Sequence, residues 1–280
     1  MGALRRVTHG KAGPRMTRID TGQITLNVVE SGDPTGAPVV FAGALGTDLT
    51  IWDAVADALP DRFRAIRFDM RGHGGSDCPP GPYSMGALVR DAEALMDALA
   101  LRDAVVVGLS VGGLVAQGLA VKRMDLVRGL VLSGTAPKIG TKAGWQDRAA
   151  LVRDKGLKAV SDDLMARWFS RRFRAAGGDA AIREMVERQA PEGYASVCEA
   201  IAGTDFITPT SGLRLPTLAT VGTEDRSTPP DLVRELADLI PGARFELLRG
   251  AGHLPCVDSP TLFADKLAGF LSAIGHGDPA

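Results

Sequence analysis

Residues 108–112 read Gly-Leu-Ser-Val-Gly, a fit to the G-x-S-x-G pattern. Their surroundings give that pattern its meaning. The preceding run, 104–109 (AVVVGL), is β-branched and wholly apolar, as a central parallel strand buried on both faces must be. The residues that follow, 112 to about 123, have the composition of an apolar helix. A serine held on a tight strand-to-helix turn projects its hydroxyl as a nucleophile for acyl transfer. Flanking glycines let neighbouring backbone come close where a Cβ would block it, and the helix N-terminus supplies positive potential for developing negative charge. A glycine-rich turn without chemistry is the plain alternative for the five residues alone; the strand–turn–helix setting favours the nucleophile Ser110.

A serine hydroxyl needs a base, and histidine is the side chain suited to that work near neutral pH. There are four: His9, His73, His253 and His276. His253 lies in RGAGHLP (249–255), a loop after the last predicted strand, at the carboxyl end of the sheet where open α/β folds place their sites. His73, in RGHGGSD (71–77), comes too early for the expected order and reads as structural or as a pocket neighbour. His9 and His276 fall in the tails and are expected to be solvated. An acid must orient the imidazole. Asp225, in GTEDRSTP (222–229), follows another predicted strand end, with the adjacent Glu224 as competitor. The order Ser110, Asp225, His253 is one of the known triad orders. Two amides should hold the oxyanion: Val111, directly after the nucleophile, and Leu45, in the loop GALGTDL (43–49) that follows a short apolar strand.

These residues need a frame. Hydrophobic periodicity predicts strands at 23–30, 38–42, 64–68, 104–109, 127–133, 216–222 and 244–248. It predicts helices at 49–59, at 85–100 with Ser84 as N-cap, at 112–123, at 231–240 and from 261. Between 137 and 210 the chain is helical, richer in charge and without a convincing strand. The fold class is therefore α/β, a mostly parallel sheet flanked by helices with a helical cap inserted after a core strand. The divisions are a loose tail over 1–15, with Met16 an alternative start, core over 16–136, cap over 137–210 and core again over 211–280.

Composition narrows the field. The chain has 280 residues, 45% of them hydrophobic and 23% charged, with a net charge of −1. Such a chain is not disordered and carries no electrostatic excess for nucleic acid or anionic membrane. Its apolar runs fall far short of the ~20 residues of a membrane span. The cysteines, Cys78, Cys198 and Cys256, are too scattered for a disulfide framework or metal cluster. The N-terminus has no apolar stretch of the signal-peptide kind, so a cytoplasmic location is expected.

The elbow and its partners resemble those of the α/β-hydrolase fold, and several segments resemble 3-oxoadipate enol-lactonases more particularly. They are GALGTDLTIWD (43–53), RFDMRGHGGSD (67–77), GLSVGGLVAQGLA (108–120), LVLSGTAPKIGT (130–141), LPTLATVGTEDRSTPPDLV (215–233) and IPGARFELLRGAGHLPCVDSP (240–260). The similarity runs from about 17 to 272. It implies hydrolysis of 3-oxoadipate enol-lactone in the β-ketoadipate pathway of aromatic catabolism, through an acyl-enzyme and without metal or organic cofactor. It also implies a small carboxylate-bearing lactone as partner. Among cap residues Arg167 and Arg171, beside aromatics, could take that carboxylate, and Trp145 and Trp168 could wall the pocket; a solvated helix face and core packing are the alternatives. Lactonases of this kind carry Asn-Ser where this chain has Gly43-Ala44, so a polar contact to substrate is expected to be missing. Some are fused to a decarboxylase domain, which a chain of this length is not expected to carry. A carboxylesterase or cofactor-free perhydrolase on the same frame is the nearer alternative; a non-catalytic binding protein of this fold is the more distant one.

Overall fold

Short β-branched runs alternating with amphipathic stretches build one sheet flanked by helices in the computed structural model, which describes residues 13–278. The strands are β1 (Arg15–Asp20), β2 (Thr25–Gly32), β3 (Ala37–Ala42), β4 (Phe63–Phe68), β5 (Ala104–Leu109), β6 (Val127–Ser133), β7 (Thr217–Gly222) and β8 (Arg244–Leu248). They lie in the order β1-β2-β4-β3-β5-β6-β7-β8. β1 and β2 run antiparallel to their neighbours and the remaining pairs are parallel. β5 is buried at every position, with Val106 opposite Val40 of β3 and Leu130 of β6. That position explains its unbroken apolar sequence: both faces of the strand are covered, so no polar alternation is required.

Helices outside the insertion are α1 (Asp53–Ala58), α2 (Met85–Ala98), α3 (Val111–Lys122), α10 (Pro230–Leu239), α11 (Pro255–Asp258) and α12 (Pro260–Ala273). Between β6 and β7 lie α4 (Lys142–Lys155), α5 (Lys158–Trp168), α6 (Arg171–Ala175), α7 (Ala180–Glu187), α8 (Pro191–Ala202) and α9 (Ile207–Ser211), with no strand among them. Local signals set their ends. Ser84 caps α2 through the Ala87 amide at 3.2 Å, and Thr141 caps α4 through Gly144 at 3.2 Å. α4 packs along α8, where Arg153 joins Glu192 at 2.9 Å and Glu199 at 2.6 Å.

Three expectations change. Arg15 belongs to β1 and not to a loose tail; the strand's outward charges and half-exposed pattern hide it from periodicity. Residues 49–59 are a 3-10 turn at Leu49–Trp52 followed by α1, rather than one helix. His276 is buried: its ring stacks on Phe63 at 5.9 Å and its Nε2 lies 3.0 Å from the Pro38 carbonyl. His9 lies outside the described residues.

Candidate active site

The β5–α3 turn is as tight as its sequence demands. Ser110 has φ 57° and ψ −117°, a conformation costly for a residue with a Cβ. A Cβ on Gly108 would come within 2.4 Å of the Gly112 carbonyl oxygen, and one on Gly112 within 2.3 Å of that of Ala42. Only glycine permits these approaches. The Ser110 amide donates to the Ser133 carbonyl at 3.0 Å, and the Ser110 carbonyl accepts from Thr135 Oγ1 at 2.7 Å. Thus β6 and the loop after it hold the turn that α3 then leaves. Val111 opens α3, so the helix itself has no use for its amide.

The expected acid and base meet at the neighbouring strand ends. His253 Nδ1 lies 2.8 Å from Asp225 Oδ2 and both side chains are buried. The other carboxylate oxygen accepts from the Ser227 amide at 2.8 Å and the Thr228 amide at 2.9 Å. Thr228 Oγ1 donates to Oδ2 at 2.9 Å. This carboxylate is therefore fully engaged, with one oxygen given to the loop and the other to the imidazole. Glu224, its competitor, is exposed, and its amide donates to the Ala251 carbonyl at 2.9 Å. Gly134 lies beneath the pair; a Cβ there would sit 3.1 Å from both Asp225 Oδ2 and His253 Nδ1.

The insertion reaches down to the same loops. The His253 amide donates to the Trp168 carbonyl at 2.7 Å, and the Arg226 amide to the Arg167 carbonyl at 3.2 Å. The Trp168 ring also stacks beside the imidazole, 6.1 Å between centroids. Asp258, in α11, holds the histidine loop from below by accepting from the Gly252 amide at 2.7 Å. Burial raises this carboxyl to about 6, the Gly252 hydrogen bond opposing the shift.

The loop after β3 is pinned by His73. Its Nε2 accepts from the Gly46 amide at 2.9 Å, which fixes the ring as the Nδ1–H tautomer facing the Arg71 carbonyl at 3.2 Å. Complete burial lowers the imidazole to about 4, against a weaker opposing contribution from the Arg71 carbonyl, so it stays neutral as an acceptor must. Neither Gly43 nor Ala44 lines the cavity described next. A Cβ on Gly43 would meet Thr47 Oγ1 at 3.2 Å, Ile51 at 3.6 Å and Trp52 Nε1 at 3.8 Å. A side chain at position 43 would thus face the buried Trp52 indole, whose N–H makes no hydrogen bond.

A cavity of about 360 Å³ collects these parts. Ser110, His253, Leu45 and Thr228 line its floor; Trp145, Arg148, Leu164, Arg167, Trp168 and Tyr194 come from the insertion. Trp145 and Trp168 are both on its wall, and Trp168 is also packed in the core. Arg167 is there too, its Nε on Asp163 at 3.0 Å. Arg171 is not; it stands exposed on α6. Sequence reasoning missed Thr228, Arg148 and Tyr194. The Thr-Pro-Pro run after Asp225 hinted at a turn that could wrap the carboxylate, but no periodic signal marks which residues of α4 and α8 face inward.

Ser110 on its turn and His253 of the Asp225–His253 pair thus share one cavity at the carboxyl ends of the parallel strands, and the comparisons place the chain at family level. The profile of the alpha/beta hydrolase family matches residues 39–266. The chain belongs to this family, and the family with its relatives makes it a hydrolase. Among relatives, 3-oxoadipate enol-lactonase 2 of Acinetobacter baylyi is 32% identical over 242 residues, 86% of this chain and 90% of that protein. The crystal structure of the enol-lactonase from Burkholderia xenovorans LB400 superposes with a TM-score of 0.88 at 35% identity, covering 91% of this chain and all of that one (100%). A malate-bound thermophilic esterase from Thermogutta terrifontis gives 0.88 at 30% identity, covering 94% and 99%. No described helix is long and apolar enough to cross a membrane.

Proposed function

We propose that the protein opens 3-oxoadipate enol-lactone to 3-oxoadipate, with Ser110 as nucleophile, His253 as general base and acid, and Asp225 as the carboxylate that orients it. The observation carrying the chemistry is the buried Asp225–His253 pair at 2.8 Å, whose imidazole shares one cavity with a serine held at φ 57°. The observation favouring this substrate is the likeness to enol-lactonases from two organisms over most of both chains.

Ser110 Oγ attacks the ring carbonyl and passes its proton to His253. The Val111 and Leu45 amides hold the oxyanion, aided by the N-terminus of α3. As the tetrahedral intermediate collapses, the bond from the carbonyl carbon to the ring oxygen breaks. The leaving oxygen departs as an enolate, takes the proton from His253 and tautomerises to the ketone, still tethered in the acyl chain. Water, deprotonated by His253, then releases the second carboxylate and frees Ser110. Asp225 holds the Nδ1–H tautomer and supports the imidazolium charge in both halves.

Ring opening of the enol-lactone, followed by ultraviolet absorbance, tests this reading. The wild type is expected to turn over the lactone faster than neutral aryl esters, and Ser110→Ala to lower kcat at least ~10³-fold. Turnover of aryl esters without the lactone would replace it by a carboxylesterase, the reading favoured by the 30% identical esterase. A perhydrolase would show instead as peracid formation from a carboxylic acid and hydrogen peroxide.

A further inference from the structure

Two donors stand in the wall of the Ser110 cavity, one without an acceptor and the other with a single long contact. Tyr194, in α8, is fully buried and lines the cavity; its hydroxyl finds no acceptor among the described residues, its polar neighbour being the donor Arg148 itself. Arg148, in α4, lines the same cavity with a mostly buried side chain, its guanidinium carbon 5.3 Å from the Trp145 ring centre. Among the described residues its ion pair is a long contact, 3.4 Å, to Asp163, an exposed residue already engaged by Arg167 Nε at 3.0 Å. A buried hydroxyl without an acceptor and a mostly buried cation with one long contact are costly unless something that enters the cavity completes them. Both groups are themselves held in place. The Trp145 indole donates to the Ile139 carbonyl at 2.6 Å, which sets the ring under Arg148, and Gly46 packs against the Tyr194 ring.

We propose that Arg148 and Tyr194 form a carboxylate-binding subsite at the cap side of the cavity, so that the enzyme selects esters and lactones carrying an acid remote from the scissile bond. This rests on the reading of Ser110 as the nucleophile of an ester hydrolase. The guanidinium offers a planar pair of N–H donors. Burial pushes the Tyr194 phenol up, the neighbouring Arg148 opposing, so the hydroxyl remains a proton donor at neutral pH. The subsite falls on α4 and α8 and not on Arg167 or Arg171, the cap arginines considered from the sequence. Arg167 already serves Asp163 across one turn of its own helix.

The probes are mono-4-nitrophenyl glutarate and its neutral methyl ester, which share a leaving group and differ in one charge. The wild type is expected to prefer the acid in kcat/KM. The acid-to-neutral ratio is expected to fall ~30- to 100-fold in Arg148→Met and ~5- to 10-fold in Tyr194→Phe, with Arg148→Lys between Met and wild type. No preference in the wild type, or a ratio within ~3-fold of wild type in both Arg148→Met and Tyr194→Phe, would overturn the subsite. Calorimetric titration of glutarate into Ser110→Ala, with and without Arg148→Met, reads the same subsite without turnover: loss of binding on Arg148→Met supports it and unchanged binding overturns it. The enol-lactone separates the two proposals. An Arg148-dependent acid preference without lactone opening keeps the subsite and removes the lactonase assignment; lactone opening at equal kcat/KM in wild type and Arg148→Met does the reverse.

Discussion

Asp225 spends one carboxylate oxygen on two backbone amides of its own loop and the other on His253 and Thr228. Asp225→Asn would put an amide N–H against either the loop amides or the imidazole, leaving the ring in the wrong tautomer or the loop unpaired. A loss of ~10³- to 10⁴-fold in kcat is expected, with folding retained. Glu224→Gln, at an exposed side chain, is expected to stay within ~3-fold; steady-state kinetics on both variants checks the assignment, and the reverse pattern reassigns the acid. His73 gives a prediction in pH. Its folded pKa, about 4, lies below the 6.5 of a free imidazole. The unfolded chain therefore takes up the proton first, and stability falls as pH drops from about 6.5 towards 4, by up to about 3 kcal/mol. His276, lowered by burial, adds in the same sense. Urea unfolding at pH 7 and pH 4.5 should show the decline, and His73→Gln should shrink it. At this scale the sequence was most legible: a motif, a scarce residue type and chain order singled out Ser110, His253 and Asp225. Tyr194 and Arg148 were not legible, because nothing local separates a cavity-facing arginine from a solvated one.

The strand-end loops do the positioning, and other elements secure them: the loop after β3 is held by His73, the histidine loop by the adjoining α11 from below and by the sequence-distant end of α5 from above. Asp258 of α11 carries the opposite pH sign to His73. Its folded pKa, raised to about 6 from 3.8, means that the ionised form is disfavoured on folding. Its contribution is intact below pH 4 and lost as pH rises from 4 to 6, a difference of up to about 3 kcal/mol before allowance for its partial exposure. Asp258→Asn can still accept from Gly252 and has no charge to bury. The stability of this variant relative to wild type is expected to rise between pH 4 and pH 7 in chemical denaturation; a pH-independent difference would refute the role. Elements with strong periodicity, such as β5 or α2, could be placed from sequence because burial of a face dictates their pattern. β1 could not: an edge strand with charged residues facing out needs no apolar alternation, and its pairing with β2 is a long-range fact.

Over the whole molecule the charge balances to −1, so no long-range field gathers an anionic substrate. On the proposed subsite, attraction comes from a cavity arginine that is partly shielded from bulk ions. Raising ionic strength from 0.05 to 0.5 M is therefore expected to lower kcat/KM for an anionic ester by less than ~3-fold; a steeper fall would point to steering by surface charge. The strand order and the insertion between β6 and β7 bring the parts of the site to one edge; the insertion followed from the alternation of strands and helices, the strand order did not. How the insertion meets the sheet did not, since backbone carbonyls leave no mark in a sequence. Those carbonyls, at Arg167 and Trp168, carry the consequence with the widest reach. Hybrid enzymes made by exchanging this segment for that of a related hydrolase would keep Ser110, Asp225 and His253 yet lose the footing of the imidazole. A successful graft should place its junctions so that residues 167–168 stay with the recipient, or come from a donor whose own backbone offers two carbonyls at that height.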